Sequence, residues 1–576
     1  MLNRFLPRES FSSYEDFIEN YRVHVPENFN FAVDVVDAWA KEDPDKSALV
    51  WCNDEGDERR MSFSDISLES ARAALAFSRM GLKKGDTVLL LLKRRWQFWV
   101  YAPAFMRLGV IYIPATIQLT KKDIVYRMNA ASAKAVITIT EPDITNYLTQ
   151  ALPECKEPCL PLYVRSDPKA EASEPVFNPP ADWTDLNAAI ASVTDEEALA
   201  FLHVKPPVGG DDPLLLYFTS GTTGMPKMVM HSHRHPLGHI VTAHYWQQLT
   251  PDDLHISVAD TGWAKCGWGK IYGQWITGAA TFVYDMDRFH ADTLLKKLMQ
   301  YKVTTFCAPP TIYRYLIQED MSKYDLSHIR MSLTAGEPLQ PEVMHRWKDA
   351  TGMTIMEGFG QTEGSVLCAN FKWDTPRPGS MGRPCPLYNL DIIDDNDQSC
   401  PAGTEGRVVV TGIDRELPVG LFCGYYRDEA ATKKVMHDGY YETGDLAWRD
   451  EDGYYWFVGR SDDVIKCSGY RIGPFEVESA LQSHKAVLEC AITAAPDPIR
   501  GQVVKATVVL AKGYIPSDAL VKELQNHVKH ATAPYKYPRI IEFVDELPKT
   551  ASGKIRRVEI RGNDEKKRDT EDPDKA

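Results

Sequence analysis

The segment Tyr217-Phe-Thr-Ser-Gly-Thr-Thr-Gly-Met-Pro-Lys227 holds the densest grouping of chemically useful residues in the chain. Four hydroxyl side chains, Thr219, Ser220, Thr222 and Thr223, are interleaved with Gly221 and Gly224 and closed by Lys227. Glycines let backbone amides approach an anion closely, hydroxyls add donors, and a lysine supplies one compact positive charge. That combination suits the oxygens of a phosphate chain. It is not a Walker loop, whose closing Gly-Lys-Ser/Thr is absent; here Pro226 precedes the lysine. The plainer alternative, a Ser/Thr/Gly surface turn, is disfavoured by the apolar run from Leu214 to Phe218, which predicts a strand delivering the loop.

Such a loop needs a sheet behind it. Through roughly the first three quarters of the chain, short apolar runs alternate with amphipathic stretches. The spacing predicts strands over 87–92, 109–113, 135–138, 214–218, 281–284, 304–308 and 331–333, with a helix over 96–108. This alternation points to the α/β class, with parallel sheets flanked by helices. From about Leu390 the texture changes to short strands with turn signals at 394–397 and 401–403, a β-rich subdomain. The polar stretch Arg460-Ser-Asp-Asp463 follows an aromatic strand over 454–458 and marks a boundary. A large N-terminal domain over 1–460 is therefore expected, followed by a small α+β C-terminal domain over 461–561. The latter should contain helices over 475–483 and 517–531 and strands over 488–493 and 503–510. Residues 562–576 are almost wholly charged and are expected to form a disordered tail.

Composition narrows the partners. The 576 residues carry 65 Lys plus Arg against 80 Asp plus Glu, a formal charge of −15. That balance argues against a nucleic-acid partner and gives no support for an anionic membrane surface. Anionic substrates must then be held by local cations and amides. No apolar run is long enough to span a bilayer, and the opening residues lack the pattern of a signal or transit peptide. The 11 cysteines are scattered without framework or zinc-site spacing, which favours reduced thiols and a cytoplasmic protein.

The phosphate loop closely resembles the signature of the adenylate-forming enzymes, which include acyl-CoA synthetases, peptide-synthetase adenylation domains and luciferases. Four further segments resemble the family's motifs in order: Glu357-Gly-Phe-Gly-Gln-Thr-Glu363, Tyr441-Glu-Thr-Gly-Asp445, Gly459 to Arg471, and Pro548-Lys-Thr-Ala-Ser-Gly-Lys554. The resemblance spans essentially the whole chain and implies an enzyme that joins ATP and a carboxylic acid as acyl-AMP, then transfers the acyl group to coenzyme A. By the same resemblance Lys554 bridges the acid and the α-phosphate, Glu363 holds Mg2+, and Lys227 faces the phosphates. Asp445 accepts the ribose hydroxyls, with Arg460 beside it. Gly336, Glu337 and Pro338, together with Glu357, Gly358, Phe359, Gly360, Gln361 and Thr362, form walls around adenine and the acyl phosphate. Asp462 matches the hinge about which the small domain swings. Ser468, Gly469, Tyr470 and Arg471 would line the pantetheine passage. Arg500, Tyr535, Lys536 and Tyr537 are candidates for contacts with coenzyme A.

Around Asp260-Thr-Gly-Trp263 the chain resembles the medium-chain acyl-CoA synthetases, which places Trp263, Ala264, Lys265, Ala335 and Gly360 at the acyl pocket. Acetate-specific members carry tryptophan where Gly360 stands. Its loss is expected to open room for several methylenes, each worth about 0.8 kcal/mol when buried. Lys265 departs from the apolar residues expected there. It is costly in such a pocket unless it points outward or is paired, and either would leave a short, blunt pocket. The sharper alternative is an ion pair with a second anionic group on the substrate. A short-to-medium, branched or aromatic acid is the expectation. The alternatives are an acyl-AMP ligase loading a separate carrier protein and a catalytically silent nucleotide-binding protein.

Overall fold

The computed structural model describes residues 1–173, 177–219, 225–467, 470–497, 500–549 and 555–571. A seven-stranded sheet runs in the order Thr184–Asp185, Leu160–Val164, Ala135–Ile139, Thr87–Leu91, Ile111–Pro114, Pro213–Thr219, Lys227–Ser232. Its neighbours are parallel except for the last pair, where Thr219 faces Lys227 across an antiparallel ladder. The strands on either side of the phosphate segment are thus an antiparallel pair at the end of this sheet. Thr87–Leu91 is buried at every position, as expected of a parallel strand covered on both faces. Its sequence accordingly reads as an unbroken apolar run.

The expected strand over 109–113 begins later, at Ile111. Gly109 instead caps the helix Gln97–Leu108 in the left-handed region, with φ 72°. A Cβ there would also lie 2.5 Å from Val208 Cγ1.

The 14-stranded sheet is parallel through Ser47–Asn53, Ala280–Asp285, Leu254–Ser257, Thr305–Cys307, Met331–Ala335 and Ile355–Gly360. Past Ile355–Gly360 it turns antiparallel, through Val366–Ala369, Ser380–Pro384, Tyr455–Arg460, Tyr440–Arg449, Gly406–Thr411 and Asn389–Ile393. The β-rich texture seen after Leu390 is this antiparallel half.

A separate five-stranded sheet contains Ile465–Cys467, Tyr470–Ile472, Val487–Asp497, Gly501–Leu510 and Ile540–Phe543. Helices Pro474–Gln482 and Asp518–Ala531 accompany it, close to their expected spans. The strand Ile540–Phe543, of sequence Ile-Ile-Glu-Phe, was not expected although its residues favour strands.

Among the described residues no helix is long and apolar enough to cross a membrane.

The tail departs from expectation. Residues 562–571 are not disordered but continue the helix Arg557–Glu571. Charge pairing supplies what apolar periodicity does not. Arg561 Nη1 donates to Asp463 Oδ1 at 2.7 Å, and Arg557 Nη2 donates to both oxygens of Glu478 at 2.6 and 2.8 Å. Lys505 Nζ bonds Asp564. Asp463→Ala should therefore raise amide exchange across 557–564 severalfold while leaving Thr87–Leu91 unchanged, as read by hydrogen–deuterium exchange. Unaltered protection of the helix would show that this pairing does not hold it.

Candidate active site

The strand Lys227–Ser232 has a second neighbour besides Pro213–Thr219. Residues 423–426 run along it: Cys423 N donates to Met230 O at 2.8 Å, Met230 N to Gly424 O at 3.1 Å, and Tyr426 N to Met228 O at 2.8 Å. Tyr425 thereby lies between two predicted site residues. The ammonium of Lys227 is 4.7 Å from the centre of its ring, and its hydroxyl donates to Glu363 Oε1 at 3.0 Å. The backbone of Glu363 is tied to the same segment, its carbonyl accepting from Phe422 N at 2.7 Å. A cation and a carboxylate are thus held on one aromatic residue at the end of the phosphate segment.

Beside them is a polar relay. Tyr441 O–H donates to Gln361 Oε1 at 2.7 Å, and Gln361 Nε2 donates to Thr443 O at 2.9 Å and to Asp445 Oδ2. Asp445 and Arg460 face each other in the ladder between Tyr440–Arg449 and Tyr455–Arg460, with Arg460 Nη1 donating to Asp445 Oδ1 at 3.3 Å. Arg460 Nη1 also bonds Thr443 O at 2.9 Å. Asp445 is buried, with its two carboxylate oxygens facing Gln361 and Arg460.

The walls named by the sequence divide. Gly336 ends the strand Met331–Ala335 at φ 102°, and a Cβ there would meet nothing within 4 Å, so this turn borders open space. Glu337, next to Pro338, aims its carboxylate at the helix Pro310–Leu316, where Thr311 Oγ1 donates to it at 3.1 Å. Phe359 is half-buried, its ring 6.3 Å from that of Phe457.

Glu357 faces inward. Its Oε1 accepts from Leu339 N at 3.1 Å, its Oε2 has no partner among the described residues, and burial pushes its carboxyl up to about 8. The side chain braces the 336–339 turn and does not line the cleft. Gly358 is required for another reason: a Cβ would lie 2.5 Å from the Trp246 indole, which packs on the bare backbone.

Gly360 is exposed, and a Cβ on it would lie 2.5 Å from Ser365 O and 3.3 Å from Val366 Cα, so the turn as folded here takes glycine at this position.

Lys265 points inward and is paired. It lies in the helix Ala264–Lys270, which begins after Trp263, and its Nζ donates to Ala335 O at 2.9 Å, 5.7 Å from the Trp268 ring centre. Lys265 and Ala335 therefore meet as one wall. The preceding loop is seated by Gly262, where a Cβ would lie 2.3 Å from Thr116 N. Ala264 and Trp263 are half-buried at the head of this helix.

In the carboxyl-terminal part, Tyr470 and Tyr535 stack at 4.2 Å and both are exposed. Lys536 bonds Glu476, and Arg500 lies 4.0 Å from Asp497, so each of these cations has a carboxylate beside it. The Tyr537 hydroxyl oxygen accepts from Arg539 Nη1 at 2.6 Å. Asp462 is exposed, with Arg460 Nε 3.7 Å away. Arg471 lies in the strand Tyr470–Ile472. Ser220, Gly221, Thr222, Thr223, Gly224, Ser468, Gly469 and Lys554 lie outside the described residues. Tyr425 and Trp246 were not anticipated, because nothing in their local sequence separates them from core aromatics; Tyr441 was visible only as the first residue of the Asp445 motif.

Among the described residues no group of three or more His, Cys, Asp or Glu could hold a metal ion. A lone hard carboxylate such as Glu363 fits Mg2+ that is bound chiefly by substrate phosphates.

The chain that carries this arrangement has a known lineage. The profile of the AMP-binding enzyme family matches residues 36–426, and that of the AMP-binding enzyme C-terminal domain matches 476–554. The chain belongs to the AMP-binding enzyme family. It is 40% identical over 568 residues to human acyl-coenzyme A synthetase ACSM3, mitochondrial, covering 97% of this chain and 94% of that protein. It is 42% identical over 549 residues to rat acyl-coenzyme A synthetase ACSM4, mitochondrial, covering 93% and 91%. Among solved structures it resembles the anthranilate CoA ligase AuaEII in complex with anthranoyl-AMP, with TM-score 0.84, 28% identity and coverage of 94% and 99%. A benzoate CoA ligase from Burkholderia xenovorans superposes with TM-score 0.78 at 26% identity, covering 92% of this chain and 100% of the other.

The raised Glu357 carboxyl has a consequence for stability. The folded state keeps a proton that the unfolded chain releases above its ordinary value of 4.5, so stability falls as pH rises from there to about 8. Glu357→Gln, which is always neutral, should raise the melting temperature at pH 8 by several degrees and change it little at pH 5. An equal shift at both pH values would show that the carboxyl is ionised in the fold.

Proposed function

We infer that this chain is an AMP-forming acyl-CoA synthetase for a compact carboxylic acid, with its nucleotide site at Lys227, Glu363, Asp445 and Arg460 and Lys554 at the reacting carboxylate. The observation that carries the site is the meeting of Lys227 and Glu363 on Tyr425, beside the Gln361–Asp445–Arg460 relay. The enzyme uses ATP, coenzyme A and Mg2+.

In the first half-reaction a carboxylate oxygen attacks the α-phosphorus, forming the acyl–phosphate bond while the bond to pyrophosphate breaks. Both partners are anions, so the task is positioning and charge neutralisation. Lys227 meets the phosphate chain, and Asp445 takes the ribose hydroxyls. Lys554 offsets the charge where the two anions touch. Mg2+, when bound, neutralises phosphate charge, and Glu363 is the residue that would hold it. In the second half-reaction the sulfur of coenzyme A attacks the acyl carbon, the C–S bond forms, AMP leaves, and the thiol proton passes to solvent.

For the exchange of catalytic faces between the two steps, we place the hinge at Asp462. Coenzyme A is placed along Ser468, Gly469, Tyr470 and Arg471, with the exposed Tyr470–Tyr535 stack offering a face to its adenine. Arg500, Lys536 and Tyr537 are peripheral, since each is already engaged.

The acid is proposed to be short-to-medium, branched or aromatic. The Lys265–Ala335 contact supports a blunt wall, and two structural neighbours are titled for the aromatic acids benzoate and anthranilate. A cytoplasmic location is proposed from the free cysteines. The curated relatives are mitochondrial by name, and co-fractionation with matrix markers would move the enzyme there.

Lys554→Ala should lower acid-dependent exchange of labelled pyrophosphate into ATP by about a hundredfold or more. Undiminished exchange would place the chemistry elsewhere. In a panel of acetate, butyrate, 2-methylbutyrate, octanoate and benzoate with coenzyme A present, kcat/KM should be highest for 2-methylbutyrate or benzoate. Lys265→Met should shift the preference toward octanoate by about tenfold, the worth of one or two further buried methylenes. A preference for acetate, or no response to Lys265→Met, would overturn the reading of the pocket.

A further inference from the structure

The sequence between 231 and 239 places His231, His235 and His239 at every fourth position, and the fold stacks their rings in the core. The centroids of His231 and His235 are 3.7 Å apart at 29°, and those of His235 and His239 are 4.6 Å apart at 88°. All three are buried, and burial holds His231 at about 4 and His239 at about 3, so they are neutral under ordinary conditions.

The hydrogen bonds fix the tautomers. Thr362 O can only accept, so His231 carries its proton on Nε2 and donates at 2.7 Å. Gly420 O likewise takes the Nδ1 proton of His235 at 3.3 Å. The free Nε2 of His235 accepts from His239 Nε2 at 3.0 Å, and His239 Nδ1 accepts from Thr242 Oγ1 at 3.4 Å. The far end is anchored by Tyr272, whose ring stacks on His239 at 5.6 Å and whose hydroxyl meets that of Tyr112 at 2.6 Å.

An apolar ring would fill this volume at lower desolvation cost. What it could not do is donate to Thr362. That carbonyl belongs to the residue between Gln361, which touches Asp445, and Glu363, which touches Tyr425. His231 itself lies four residues after Lys227 on the same strand.

We propose that His231 is a positioning residue for adenylation: the bond from its Nε2 to the Thr362 carbonyl, backed by the His235–His239 column, sets Glu363 relative to Lys227. The proposal rests on the assignment of Lys227 and Glu363 to ATP and Mg2+ made above.

The variants His231→Phe, which keeps a stacking ring but loses the donor, and His231→Gln, which restores an N–H at similar reach, separate packing from positioning. With His231→Phe, kcat for pyrophosphate exchange should fall about tenfold or more, and calorimetric affinity for Mg2+ and ATP together should fall severalfold. His231→Gln should recover most of both, and KM for coenzyme A should not move in either. If His231→Phe does not fold, the flexible side chain of His231→Met takes its place. Wild-type exchange and affinity in the Phe or Met variant, with only a lowered melting temperature, would overturn the proposal. So would His231→Gln performing no better than the variant without a donor. Glu363→Gln measured alongside distinguishes the two assignments. If it leaves Mg2+ dependence and ATP affinity unchanged, the site assignment fails. If it weakens both while His231→Phe weakens neither, only the role of the histidine fails.

Discussion

The strand Ile355–Gly360 is the constraint on which the site depends. On one side it pairs in parallel with Met331–Ala335, and on the other it pairs antiparallel with Val366–Ala369. The large sheet changes character here, from a helix-covered interior to strands with one wetter face. Two of its residues must be glycine for steric reasons: Gly358, so that the Trp246 indole can lie on the backbone, and Gly360, so that the chain can double back onto Ser365. That reversal sends Gln361, Thr362 and Glu363 toward the phosphate segment of the other sheet. A side chain at either glycine would misplace all three at once, without touching a substrate.

Electrostatics follows the same economy of means. A protein with net charge −15 that takes three anionic substrates would, on the site proposed above, hold them with a few cations that each have a defined neighbour. Lys227 rests on a neutral aromatic ring. Arg460 is shared between a carbonyl and Asp445, so its guanidinium is oriented as well as compensated. Glu357, the carboxyl nearest the core at this point, is kept neutral by burial, which spares the cleft one negative charge. The histidines behind Thr362 are neutral for the same reason.

Much of this was legible in the sequence, for reasons specific to each element. The buried parallel strands read as apolar runs because both their faces are covered, and the phosphate segment stood out through its glycines, hydroxyls and lysine. The order of the family motifs then suggested which segments would converge. Other features were not legible because they depend on contacts distant in sequence. The Lys265 ammonium reaches Ala335, 70 residues away. The helix over the charged tail is held by Asp463, Glu478 and Lys505 together with one buried apolar residue, Ile560, that packs on Ala491, Val509 and Leu547. At Gly360 a sequence shows the absent side chain but not the Ser365 carbonyl that a Cβ there would meet. The histidines at 231, 235 and 239 drew no reading from the sequence, since only the fold reveals that the first of them faces the Thr362 carbonyl.

The neighbouring aspartates at the start of the small sheet carry a mechanical implication. Asp462 reaches back to Arg460 at the end of the large sheet, while Asp463 is clamped by Arg561 on the small side. Two consecutive carboxylates are thus moored to opposite banks. A relative turn of the two sheets that kept both contacts would fall on the few torsions between them, like a crankshaft with a single journal.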